Sequence, residues 1–296
     1  MPELPDIVVY IESLEARVLG RTLKQVRLLN PFILRTVVPP VSAAVGKNVV
    51  GLRRLGKRIV FQMEGGLFLV IHLMIAGRLR WSDTKTTPKL PGRISLALFE
   101  FDSGTLVLTE GGTKRMASLH LVEGEAALDA LHVAGMEVLE ADPASFSQQL
   151  REHNHTLKRA LTNPHIFSGI GNAYCDEILH HAKLSPIAMT QKLDDDEIAR
   201  LYDAIRSTLT AWTDRLRKQT AGKFPEKVTA FREEMAVHGR YGKPCPECGS
   251  PVQRIVYGAH ETNYCARCQT GGKVLADRAL SRLLKKSWPR SIDDVE

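Results

Sequence analysis

CPECGSPVQRIVYGAHETNYCARC, residues 245–268, holds two C-x-x-C pairs, Cys245/Cys248 and Cys265/Cys268, with 16 residues between them. Two such knuckles at this separation supply four thiolates to one tetrahedral zinc ion. The stretch between them reads as two short strands with Gly258 at the turn, which predicts a β-hairpin zinc finger. Disulfides are the competing reading, and they belong to oxidising compartments. The N-terminus shows no basic-then-apolar leader, so the chain is expected to be cytoplasmic and its thiols reduced. With four thiolates the metal has no open coordination position, so Zn2+ is expected to be structural. The fifth cysteine, Cys175, sits beside Tyr174 in a helical pattern and reads as a small core residue.

The rest of the 296-residue chain is long enough for two or three domains, and 44% hydrophobic content is enough to fill ordinary cores. The longest apolar run, Leu67 to Ala76, is interrupted by His72 and is too short to span a bilayer, so no membrane partner is expected. The net charge of +7 is uneven. Residues 1–130 carry five more basic than acidic side chains, 131–244 balance, and 245–296 carry two more basic than acidic. Basic surplus in two separated regions suits a polyanion, although a merely basic protein would show the same total.

Upstream of the finger the pattern is helical. Segments near 145–152, 156–162, 173–183 and 194–218 are amphipathic, with Asp194 as N-cap of the last. The run Asp194–Asp196 reads as acidic residues in a first helical turn rather than as a metal site. From about Val26 to Val122 the signal is short strands. RIVFQM and LFLVIHL flank Glu64-Gly65-Gly66, and ISLALFEF and TLVLTE flank Asp102-Ser103-Gly104. Both are hairpins with glycine at the turn, and repeated hairpins predict a β-sandwich or barrel. Before them, Ile7, Val8, Ile11, Leu14 and Val18 fall at helical spacing, with Gly20 as the stop.

Three motifs carry candidate chemistry besides the finger. SGIGNAYCDEIL, residues 168–179, places Gly169 and Gly171 before a helix that begins near Asn172, a geometry that presents amides to a phosphate. Lys158 and Arg159 lie on the preceding helix. In RRLGKRIV, Arg53, Arg54, Lys57 and Arg58 cluster at a strand entrance, either as a phosphate contact or as a solvated basic turn. In HLMIAGRLRW, Met74 and Ile75 precede Gly77 at a predicted loop tip, as wedge residues for a base stack or as core. The chain opens MPELPD. Initiator methionine is removed efficiently before a small residue, which would leave Pro2 with a free secondary amine. Such an amine attacks an aldehyde carbon to form an iminium, and the positive end of the following helix favours its neutral form. Glu3 beside it is placed to move protons. The plain alternative is a proline that starts a helix.

Together PELPD, Lys57, GIGN at Asn172 and the C-terminal four-cysteine finger closely resemble the formamidopyrimidine-DNA glycosylase and endonuclease VIII family, over roughly residues 2–270. The resemblance implies an α+β multidomain chain: an N-terminal β-sandwich with a leading helix (1–130), a linker (131–147), a helix-two-turn-helix DNA-binding domain (148–240) and the finger (241–270), followed by a C-terminal extension (271–296). It implies a base-excision-repair DNA glycosylase and abasic-site lyase acting on damaged DNA, as a monomer associated with the nucleoid. Pro2 would attack the sugar C1′, Glu3 would act as acid or base at the ring oxygen, and strand scission would follow by β,δ-elimination. Lys57 and Asn172 would hold flanking phosphates around a flipped-out base, with Lys158, Arg54, His260, Met74, Ile75 and Arg115 as further DNA contacts.

Several positions depart from the family pattern. Asp6 stands where a glutamate is usual. His260 takes the place of a finger arginine, and an imidazole lacks the two-donor fork of a guanidinium. Lys114, Arg115 and Met116 replace an arginine-phenylalanine intercalating pair. KVTAFREEMAVHGR lacks the long glycine-rich loop that caps oxidised purines, which points to an oxidised pyrimidine or a ring-opened purine as substrate. ADRALSRLLKKSWPR predicts a short basic helix beyond the finger. Two other functions stay open at this point: a binding protein for damaged or abasic DNA on the same scaffold, and a glycosylase acting on single-stranded or cross-linked DNA.

Overall fold

The computed structural model describes residues 1–83, 92–226, 228–258 and 260–295; Lys227 and Ala259, in two of the stretches quoted above, lie outside them. The chain divides into two units: Met1–Val133 with Trp212–Thr229, and Ala134–Ala211 with Ala230–Glu296.

The first unit opens with helix α1 (Leu4–Val18), which buries Ile7, Tyr10, Ile11, Leu14 and Val18 along one face. Two antiparallel four-stranded sheets follow. Strands β1 (Leu23–Leu28), β2 (Val49–Leu55), β3 (Arg58–Met63), β4 (Leu67–His72), β5 (Gly77–Ser82), β6 (Ser95–Phe101), β7 (Gly104–Glu110) and β8 (Ser118–Glu123) assemble in the orders β1-β6-β7-β5 and β2-β3-β4-β8. Both hairpins read from the sequence form, as β3–β4 and β6–β7. Alternate residues of the two sheets, among them Ile59, Phe61, Leu69, Ile71, Phe99 and Leu108, meet the α1 face in one core. Each such side chain removed from water contributes about 1.5–3 kcal/mol. A short helix α2 (Glu125–Asp129) covers a second apolar patch, Val60, Phe68, Val70 and Val122, on the opposite face of the β3–β4–β8 sheet.

Residues Trp212–Thr229 belong to this unit although they lie far downstream. Phe224 packs against Tyr10 and Trp81, with centroids 5.8 and 6.5 Å apart. Arg217 grips the Glu12 carboxylate from both Nε and Nη2, at 3.0 and 2.6 Å. Local periodicity shows only that 194–218 is helical, and these long-range contacts assign its last turns to the N-terminal unit.

The second unit contains α3 (Pro143–Glu152), α4 (Leu157–Thr162), α5 (Asn172–His181), the first turns of α6 (Asp195–Thr220), strands β9 (Gln253–Tyr257) and β10 (His260–Tyr264), and short helices α7 (Ala266–Thr270) and α8 (Arg278–Leu284). Helix α3 starts at Pro143, within the stretch expected to be linker, because Asp142 caps it by accepting from the amides of Ala144 and Ser145 at 3.0 and 2.9 Å. Asp194 caps α6 through the Glu197 amide at 2.7 Å.

A buried carboxylate, Asp176 of α5, joins three parts of this unit. It accepts from Lys158 Nζ on α4 at 2.6 Å, from His238 Nδ1 at 2.7 Å and from the Asn263 amide on β10 at 3.2 Å. Its neighbour Glu177 accepts from the backbone amides of Ala236, Val237 and His238 at 2.7–3.0 Å. Burial pushes the Glu177 carboxyl up, against the pull of those three amides. Removing one partner of a buried, hydrogen-bonded ion pair costs about 3–5 kcal/mol. Asp176→Ala is therefore expected to lose stability in that range, measured by denaturant unfolding, and Asp176→Asn to lose less because it keeps an acceptor.

Candidate nucleic-acid interface and metal centre

In the first unit the opening residues are structure from the start. Pro2 and Glu3 are buried, and Glu3 is the N-cap of α1. Its amide donates to Asp6 Oδ2 at 2.9 Å, and its own carboxylate accepts from the Asp6 amide in a closed capping box. The aspartate at position 6 therefore reaches its place in the box despite being one methylene shorter than glutamate. Burial lowers the terminal ammonium of Met1 below its ordinary range; Arg78 and Lys57 add to that effect, while Glu3 and Asp6 oppose it.

Lys57 follows Gly56 in the tight β2–β3 turn, where Gly56 has φ +61°. Arg54 Nη1 donates to the Gly56 carbonyl at 2.9 Å, so Arg54 braces the turn that carries the lysine. Next to it Arg58 joins His72 and His120 in a basic group that the sequence reading did not bring together. Register pairs Arg58 with His72, and on the neighbouring strand His120 pairs with Val70. These three side chains emerge on the face of the sheet away from the main core. Burial, with Arg58, Lys57 and His120, pushes His72 down to about 4. Burial and the nearby Arg58 and Arg35 lower His120 as well. The sequence signals were Arg58 in a basic turn and His72 breaking an apolar strand, and cross-strand register was needed to join them with His120.

Met74 and Ile75 do occupy the β4–β5 loop tip, with Met74 at φ +51° and Ile75 62% exposed. A Cβ on Gly77 would come within 2.2 Å of the Leu73 carbonyl oxygen, so glycine is what allows this turn to close. The β7–β8 loop is pinned by Glu110, whose buried carboxylate accepts from the amides of Met116 and Ala117 at 2.9–3.2 Å. Arg115 and Met116 on that loop are exposed, with Arg115 donating to the Arg93 carbonyl.

In the second unit Gly169, at φ +83°, turns the chain into the N-terminus of α5. Asn172 Nδ2 donates to the Glu261 carbonyl of the finger at 2.8 Å, and Lys158 Nζ donates to the Asn172 carbonyl at 2.8 Å. Lys158 is thus engaged by Asp176 and Asn172 and braces the α5 N-terminus from inside. His260 is exposed next to the hairpin turn.

The four finger sulfurs converge. Cys248 Sγ lies 3.4 Å from Cys265 Sγ, and Cys245 Sγ lies 3.9 Å from Cys268 Sγ. All four ligand atoms fall within 4.8 Å of one another, as one tetrahedral zinc requires. Burial would raise the Cys248 thiol, but hydrogen bonds from Ser250, Cys265 and Cys268 bring it down to about 6. His180 of α5 reaches the cluster with Nε2 3.3 Å from Cys245 Sγ, tying that helix to the metal centre. Cys175 is buried on α5 as a core residue.

Comparison with known proteins accounts for this arrangement. The Formamidopyrimidine-DNA glycosylase N-terminal domain pattern matches residues 1–117, the H2TH domain of the same glycosylase matches 134–220, and the zinc finger found in FPG and IleRS matches 242–271. The chain belongs to the formamidopyrimidine-DNA glycosylase family. Curated family members from Thermus thermophilus and Heliobacterium modesticaldum are 33% and 32% identical, with 92% and 91% of this chain covering 100% of each. The crystal structure of the MutM (Fpg) protein from Thermus thermophilus superposes with a TM-score of 0.73 at 30% identity, over 90% of this chain and 98% of that one. Lactococcus lactis Fpg bound to Fapy-dG DNA shares the fold, with a TM-score of 0.79 at 24% identity over 90% and 100% of the two chains. Membership makes the protein a DNA glycosylase of base-excision repair with abasic-site lyase activity, carrying one structural zinc. Among the described residues no helix is long and apolar enough to cross a membrane.

Two outcomes follow. Cys265→Ser is expected to lose the single zinc, measured by elemental analysis, while Cys175→Ser keeps it. For His72, a folded pKa of about 4 against an ordinary 6.5 means the unfolded chain binds the extra proton first. Its stabilising effect is complete above pH 6.5 and declines as pH falls towards 4, by on the order of 3 kcal/mol. His72→Asn should flatten that part of the stability–pH curve.

Proposed function

We propose that this glycosylase removes oxidised pyrimidines or ring-opened purines through a covalent intermediate on Pro2, then cleaves the strand by β,δ-elimination. The observation that carries the reading is the buried Pro2–Glu3 pair at the positive end of α1, in surroundings where burial depresses the adjacent Met1 amine. Removal of Met1 transfers the terminus to Pro2 within the same surroundings. Its neutral nitrogen bonds to C1′ of the damaged nucleotide as the C1′–base bond breaks and the base leaves with a proton. The nitrogen passes its own proton to the departing base, the protonated Glu3 carboxyl gives its proton to the ring oxygen, and the opened sugar is held as an iminium. Loss of a C2′ proton then breaks the C3′–O bond, the second elimination breaks the C5′–O bond, and water releases the proline. Lys57 and Asn172 hold phosphates beside the lesion, and Lys57 assists the eliminations. Arg54 and Lys158 position these two, Met74, Ile75 and Arg115 fill the space left by the flipped base, and His260 contacts the strand from the finger. The capping box keeps Glu3 in place despite the Asp6 departure.

Borohydride reduction on a duplex carrying an abasic site tests this directly. Full-length protein, with Met1 removal verified by intact mass, is expected to yield a trapped covalent adduct. The adduct should vanish in Pro2→Gly and in protein with an uncleaved N-terminal tag. Glu3→Gln should slow base release by about 10²–10⁴-fold. An adduct that survives both changes at the terminus would remove Pro2 from the mechanism. Tight binding to damaged duplex with no adduct would leave a binding protein on this scaffold.

A further inference from the structure

Residues 272–296 lie beyond the finger pattern, which ends at 271, and the curated relatives are covered whole by about nine-tenths of this chain. The extension is nevertheless built into the finger. Leu275 and Ile292 are buried against Tyr264 and Ala266, with Ile255 and Val295 at the edge. The Leu275 amide donates to Tyr264 Oη at 2.7 Å, and the Val256 amide of β9 donates to Asp277 Oδ2 at 2.7 Å. The ends of the segment close on each other, with the Ile292 amide donating to the Gly272 carbonyl at 2.7 Å and the Val274 amide to that of Arg290 at 3.0 Å.

Between these anchors, residues 278–290 hold five basic side chains and no acidic one. Arg282, Lys285, Lys286 and Arg290 are exposed, the first three spaced three and four residues apart across the end of α8. The acidic groups among the described residues of the extension act elsewhere. Asp277 holds Val256, Asp293 pairs with Arg267 at 2.7 Å, and Asp294 accepts from the Ser291 amide at 3.0 Å. Asp277 also fixes the location of this charge, because Val256 directly precedes the exposed Tyr257 and the hairpin turn at Gly258. The hairpin itself carries little free charge for an anion. Its arginine, Arg254, lies over the Tyr241 ring at 4.2 Å and pairs with Glu261 at 3.3 Å, and the other position offers only His260.

We propose that residues 278–290 form a second phosphate-contacting element. Arg282, Lys285 and Lys286 bind the backbone of a DNA strand alongside the hairpin tip and supply the permanent charge that the hairpin lacks. This rests on the protein acting on DNA as described above. Phosphate neutralisation releases counterions, so each contact steepens the fall of log K with log salt by about 0.9.

The test measures binding of the full-length protein to a duplex with a tetrahydrofuran abasic analogue between 50 and 300 mM salt. The triple variant Arg282→Ala, Lys285→Ala, Lys286→Ala is expected to lower the salt slope by about 2–3 and to weaken binding at least tenfold near 100 mM. Its zinc content should match that of the unchanged chain. A folded triple variant with an unaltered slope overturns the proposal and leaves the repair function standing. Should the triple variant lose zinc, the single changes Lys285→Ala and Lys286→Ala decide it, each expected to lower the slope by about 1. Failure of the unchanged protein to bind the abasic duplex or to be trapped on it would overturn the DNA-repair reading, and the proposal with it.

Discussion

Burying a carboxylate is costly unless donors surround it, and Asp176 obtains its donors from three different segments. Lys158 comes from the helix before the glycine turn, His238 from the irregular chain leading into the finger, and the Asn263 amide from the second strand of the hairpin. None of these can move away without leaving Asp176 uncompensated. The same geometry places Asn172, one turn earlier on α5, where its side-chain amide meets the Glu261 carbonyl. The N-terminal end of α5 and the finger hairpin are therefore held together by one polar cluster, with the zinc as a second clamp. His180, one turn further along α5 than Asp176, meets Cys245 and so extends the link to the metal. Burial holds that imidazole down at about 4, which keeps it neutral and suited to hydrogen-bond a sulfur at physiological pH.

Lys158 shows why residue type alone does not assign a role. A lysine on the helix before a glycine turn reads naturally as a phosphate contact. Its side chain is only 15% exposed and its ammonium lies 2.6 Å from Asp176. Opposite charge at that distance in a poorly solvated place outweighs exposure to solvent anions. The same ammonium also binds the Asn172 carbonyl at 2.8 Å. Arg54 is a parallel case, since it braces the carbonyl of Gly56 beside Lys57. In both pairs the structure separates the residue that holds from the residue that is held.

Much of the fold was legible because local chemistry decides it. The α1 stripe, the glycine turns of both hairpins, the Asp194 cap and the four-cysteine spacing each act over a few residues and survive any tertiary context. What was not legible depends on distance along the chain. Trp212–Thr229 joins the N-terminal unit through Phe224 against Tyr10 and Arg217 against Glu12, contacts some 200 residues apart that no period encodes. The cluster of Arg58, His72 and His120 needs the register of three strands before its members share a face. The start of α3 at Pro143 was signalled by Asp142 and the following proline, but the polar composition around it resembled a linker.

The departures from the family pattern also become comparable in kind. Asp6 changes length without changing function in the capping box, because the aspartate oxygen still reaches the Glu3 amide at 2.9 Å. A box closed by either residue satisfies the same backbone donors, so position 6 acts by holding Glu3 in place. His260 is a different case, since none of the described hairpin residues restores a two-donor cation there; Arg254 is tied to Glu261 and Tyr241. A substitution within a closed hydrogen-bonded unit can be absorbed by that unit. One at a solvent-facing contact has to be balanced by charge elsewhere on the same surface, and here the basic run anchored beside the hairpin by Asp277 is the segment placed to provide it.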